Sequence, residues 1–132
     1  TIMTENDSQI RLDLLLDLGG LFPLYLPIGK YDSLELPKDA VESSLGAGLM
    51  SQKGFVGRVP SVRLGPYALN DVPTAFMPVA KDADPFGNSM IGLPLLRRFI
   101  VTFDYPRERI VLEPSKLFPT PFKANGAGPV KR

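Results

Sequence analysis

Fourteen prolines and twelve glycines are scattered through the 132 residues rather than pooled, and this constrains the fold more than any other feature. Proline removes a backbone donor and glycine loses most entropy on ordering, so neither is tolerated well inside a long helix. The apolar runs between them are of strand length, which predicts an all-β fold with one short helix. Residues 10–16 read as a strand, Asp17-Leu18-Gly19-Gly20 as a turn, and residues 21–28 as a second strand in which Pro23 and Pro27 mark edges or bends. Residues 38–42 are expected to make a helical turn. Gly46, Gly48, Gly54 and Gly57, set around Phe55 and Val56, predict a long hairpin over residues 45–59. Strands at 61–64 and 67–76 flank the Gly65-Pro66 turn, and residues 82–88 form a polar loop. Pro94 suits the first turn of a short helix over 94–99, followed by a hairpin of strands 100–105 and 110–113 about a turn at 106–109.

With 44% hydrophobic residues the chain can bury the core of one domain, read as residues 1–114, with 115–132 as a docked or loose tail. Its formal charge of +1 provides no field that would draw it to nucleic acid, and Arg97, Arg98, Arg107 and Arg109 read as a solvated face. Neither cysteine nor histidine is present. Disulfides, thiolate nucleophiles, serine–histidine pairs and HExxH zinc sites are therefore excluded, leaving carboxylates, lysine and tyrosine to carry any hydrolysis. The longest apolar run, residues 12–27, is broken by Asp13, Asp17, Gly19, Gly20 and Pro23 and reads as neither signal peptide nor membrane span. The polar opening at residues 4–9 suggests a piece of a longer protein.

Hydrolysis by paired carboxylates requires one acid ionised and one protonated, with a water between them, because two carboxylates about 3 Å apart cannot both ionise cheaply. The sequence requirement is an aspartate on a tight turn after an apolar strand, with glycine close behind so that backbone N–H groups reach the carboxylate. Leu15-Leu16-Asp17-Leu18-Gly19-Gly20 meets it. An aspartate at a strand end also serves as a plain turn former.

The turn resembles the Asp-Thr/Ser-Gly element of aspartic proteases. Met90-Ile91-Gly92 leading into Leu93-Pro94-Leu95-Leu96-Arg97-Arg98-Phe99 resembles the family's second motif, two apolar residues and a glycine before a short helix. The closing stretch, residues 95–106 with 110–114, is similar to the C-terminal hairpin of bacterial retropepsin-like domains, and the likeness runs over residues 10–114. The resemblance implies a small closed β-barrel of the acid-protease type, mostly antiparallel, with Asp17 catalytic, Leu18, Gly19 and Gly20 forming the active turn, and Ile91 and Gly92 threading beside it. It implies a flap at residues 45–59, with Gly48, Gly54, Phe55 and Val56 closing over an extended peptide. The partner implied is a second lobe, in the same chain or as a homodimer, and the substrate a peptide or unfolded protein; no metal or organic cofactor is required. Similar bacterial proteins carry two lobes followed by a PDZ domain, which implies a secreted, periplasmic or cell-envelope location.

Leu18 departs from the family, whose threonine or serine there bonds across to the opposing lobe. The alternative reading is a peptide-binding or dimerisation domain that kept the fold without the dyad. Asp13 should share a face with Leu15 and point to solvent, opposite Leu12 and Leu14. Asp82, Asp84 and Asn88 lack the later bidentate glutamate of a calcium loop and read as a turn, as does Asp104 at its hairpin end.

Overall fold

The computed structural model describes residues 2–3, 7–46, 48–79 and 89–123. The polar loop at 82–88, with Asp82, Asp84 and Asn88, and the end of the tail at 124–132 lie outside the described residues. Within them the chain is mostly β, with one short α-helix. The strands are β1 (Ile2–Met3), β2 (Gln9–Ile10), β3 (Leu15–Asp17), β4 (Leu24–Ile28), β5 (Val41–Leu45), β6 (Gln52–Leu64), β7 (Tyr67–Pro78), β8 (Met90–Gly92), β9 (Phe99–Asp104) and β10 (Arg109–Pro114); helix α1 is Leu93–Leu96. Eight of the strands make a curled half-barrel in the order β2-β1-β6-β7-β4-β8-β3, with β5 on β6, and β9 and β10 pair separately.

The long β6–β7 hairpin turns at Gly65, whose φ of 55° favours glycine. Its buried cross-strand pairs, Val62 with Leu69 and Val59 with Val72, stand three residues apart. A flat strand repeats its face every two residues, so the hairpin changes the side it buries between these pairs. Pro60 has no N–H and Asp71 has a φ of 53° at that point. The Arg58 guanidinium donates to both the Asp71 carbonyl and its carboxylate, each at 2.7 Å, and holds the bend.

The pairing is mostly antiparallel, as expected, but two strand pairs are parallel, β3 with β8 and β4 with β7. Parallel pairs cannot be closed by a tight turn, so they join segments far apart in the chain. Pro27 fits inside β4 because β8 pairs only with Leu24 and Tyr25, leaving no ladder on that side at Pro27. Leu24, Leu26, Val62, Val72, Phe76, Ile91 and Leu95 form the centre of the core. The helical turn expected at 38–42 is a turn closed by the Ala40 N–H on the Pro37 carbonyl, after which Val41–Leu45 is strand. Pairing with β6 overrides the weak local helical preference there. The helix is shorter than 94–99, because Phe99 is already needed in the β9 ladder opposite Pro114.

Arg98 corrects the reading of a solvated basic face, since it is buried. Its guanidinium lies 3.8 Å from the Phe122 ring centre and donates to the carbonyls of Leu117, at 2.8 Å, and Thr120. Desolvation, with Arg97 adding like charge, lowers its pKa from the ordinary arginine value. Residues 115–123 are thereby docked rather than loose. Ser115 donates from its N–H to the Arg98 carbonyl and from its hydroxyl to the Arg97 carbonyl, both at 2.9 Å. Phe118 stacks edgewise on Tyr67 and Phe99, with ring centres 5.7 and 5.4 Å away. Arg107 and Arg109 are exposed and share the carboxylate of Asp104.

Replacing Arg98 by alanine removes two charge-assisted bonds and the support of Phe122, so we expect a loss of about 3 kcal/mol in denaturant unfolding. Trypsin should then cut earlier at Lys116 in limited proteolysis.

Candidate active turn

The Asp17-Leu18-Gly19 turn is built where β3 and β8 run side by side, Leu15 opposite Met90, Leu16 opposite Ile91 and Asp17 opposite Gly92. The strand expected over 10–16 is paired only at Gln9–Ile10 and Leu15–Asp17, but its alternation holds: Leu16 packs against the core while Leu15 and Asp13 face outward. Asp17 therefore ends the strand half-buried, at the rim of the sheet.

Backbone geometry then closes the turn. The Gly20 N–H donates to the Asp17 carbonyl at 3.1 Å, and the Gly19 N–H donates to Asp17 Oδ1 at 2.9 Å. A side chain leading back to the backbone two residues on is an Asx turn, and here it orients the carboxylate. The Gly92 N–H donates to the Pro23 carbonyl at 3.0 Å and the Leu93 N–H to the Gly20 carbonyl at 3.3 Å, tying the two segments together.

Both glycines of this contact are required by space rather than by φ. A Cβ on Gly92 would collide with the Phe22 carbonyl oxygen, and one on Gly20 would lie 3.0 Å from the Gly92 Cα. The turn and the second motif, remote in sequence, thus meet backbone to backbone. Ile91 is buried and anchors the contact from below, and α1 starts immediately after it, burying Leu95 and Leu96.

Leu18 is 63% exposed and offers no polar atom. Leu15, Leu21 and Leu93 are also exposed, which leaves apolar side chains on the segments around Asp17. Sequence reasoning missed these leucines as a group, because the strand and turn containing them read simply as apolar. Tyr25 was missed as well. Its hydroxyl accepts from the N–H groups of Leu21, at 2.9 Å, and Phe22, at 3.1 Å, directly after the turn.

The glycine-rich hairpin divides into two parts. Gly48 opens a 3-10 turn, Gly48–Met50, with a φ of 57° and open space about it, and Leu49 beside it is fully exposed. Gly54 is a packing position: a Cβ there would run into the Leu45 side chain and lie 2.8 Å from the Phe76 carbonyl oxygen. Phe55 packs against the core and Val56 pairs with Val41. Of the four hairpin residues singled out, only Gly48 lies at the apex.

Among the described residues no three His, Cys, Asp or Glu side chains gather in a way that would hold a metal ion. No protein-family model, curated protein or solved structure matches this chain.

Gly92→Ala should destabilise the protein by about 3 kcal/mol, since the new methyl meets backbone rather than a movable side chain. Gly48→Ala should cost about 1 kcal/mol, from left-handed backbone strain alone. Chemical denaturation of the two variants checks the contrast.

Proposed function

We propose that this chain is one lobe of an aspartic endopeptidase of the retropepsin-like type, its half-barrel completed as a small closed barrel in the assembled enzyme. The observation that carries this reading is the Asp17 turn: a carboxylate held by the Gly19 N–H, on backbone packed against Gly92 at the end of an apolar strand.

In this reading a carboxylate from a second lobe, in the same chain or in a second copy, meets Asp17. The pair shares one proton and holds a water between its oxygens. The ionised member takes a proton from the water as it attacks the peptide carbonyl, and the protonated member gives its proton to the carbonyl oxygen. Collapse of the tetrahedral species returns a proton to the leaving amine. An extended peptide pairs with the β5–β6 hairpin, whose apex carries Gly48 and Leu49, so the substrate is a peptide or an unfolded protein segment. The sequence likeness favours a bacterial, secreted, periplasmic or envelope protein with a PDZ neighbour.

Leu18 favours a second reading. An exposed leucine beside the carboxylate, with no hydroxyl to bond across an interface, suits a peptide-binding or dimerisation domain that kept the fold without the chemistry.

The test is cleavage of an unfolded protein by the full-length protein between pH 3 and 8. Asp17→Asn should lower kcat by about a thousandfold. Equal rates in the two proteins, or no cleavage by either, would favour the binding domain.

A further inference from the structure

The geometry points to Tyr25 as the positioning residue of the Asp17 turn, a role its phenol performs from within the lobe. The inference rests on the reading of Asp17 as half of a dyad, but its structural half stands without it.

A turn carrying a reactive carboxylate must be kept from fraying, and the side chains nearest to it contribute little polar support. Leu18 and Leu21 have no hydrogen-bonding atoms, and Gly19 and Gly20 have no side chains. The carboxylate itself is held by the Gly19 N–H. The two N–H groups that follow, those of Leu21 and Phe22, both end on the Tyr25 hydroxyl. One phenol oxygen thus uses both of its lone pairs to fasten the exit of the turn.

The mount behind that oxygen is rigid. Tyr25 belongs to β4, flanked by β7 through Ala75 and by β8 through Met90. Its ring packs edgewise on Phe22, with centres 5.7 Å apart, and its Cε2 would lie 3.2 Å from a Cβ on Gly20. The hydroxyl is therefore carried on β4, which pairs with β8, the strand that carries Gly92 opposite Asp17. Both ends of the turn are referred to two paired strands, through Gly92 of β8 on one side and Tyr25 of β4 on the other. The brace is local, so it holds the carboxylate whether or not an opposing lobe offers a bond at position 18.

Tyr25→Phe removes the oxygen and keeps the ring. In the full-length protein, amide hydrogen exchange at Leu21 and Phe22 should speed up by about tenfold, and so should that of Gly19, whose N–H reports on the carboxylate, while β6 and β7 amides stay unchanged. With an unfolded protein as substrate, kcat should fall about tenfold at unchanged KM. Unchanged exchange at Leu21 and Phe22 overturns the brace, and faster exchange there with Gly19 unchanged overturns its positioning of Asp17. An unaltered kcat, in a protein that Asp17→Asn inactivates, overturns it too. If Asp17→Asn has no effect on cleavage, the protease reading fails by itself and the three amides alone decide the role of Tyr25.

Discussion

The close approach of Gly20 and Gly92 is the contact on which the rest of the site depends. With hydrogen atoms in place of side chains at both positions, the turn after β3 and the entry to α1 come within van der Waals distance along their backbones. That approach lets Asp17 stand opposite Gly92 in a parallel ladder and brings the Leu93 N–H onto the Gly20 carbonyl. A side chain on Gly92 would run into the Phe22 carbonyl and one on Gly20 would crowd the Gly92 backbone, so either would disturb the turn that carries the carboxylate.

Support for this contact is layered. Ile91, Leu24 and Phe76 lie in the core beneath it, and Leu95 and Leu96 seat the helix that begins at its edge. Tyr25 brings the same support to the surface by converting a position in a central strand into an acceptor for two otherwise exposed donors. The turn is well satisfied on its inner side, while its outer side presents leucines and one carboxylate. The proposed dyad and the alternative dimerisation role both place a partner on this face.

At the opposite end of the chain Arg98 does comparable work by different means. It sits beside a buried helix turn, yet its guanidinium collects two carbonyls and an aromatic face from the tail. Burying a cation is costly unless its donors are used; the docked segment supplies two acceptors to Nη1, while the buried Nε has no partner among the described residues. The packing of Tyr67, Phe99 and Phe118 then links the β6–β7 turn to the closing hairpin, so that the separate β9–β10 sheet is tied to the main one.

Much of this organisation was legible in the residues alone. The scatter of proline and glycine excluded long helices, alternation in residues 10–16 set which side chains turn inward, and Gly65-Pro66 and residues 106–109 marked their hairpins, all of which are local steric matters. The segment at 38–42 misled because its partner, β6, begins only at Gln52, and a ladder outweighs a weak local preference. Arg98 misled because charge alone says nothing of whether carbonyls will converge on it. Sequence by itself determined a β-rich chain with an aspartate on a glycine turn and no histidine or cysteine chemistry. Only the tertiary structure decided that Asp17 faces Gly92, that Gly54 is a packing position, that the Tyr25 hydroxyl accepts from Leu21 and Phe22 and that residues 115–123 are docked. Each of those depends on atoms that contact in space while their residues' local preferences carry no record of one another.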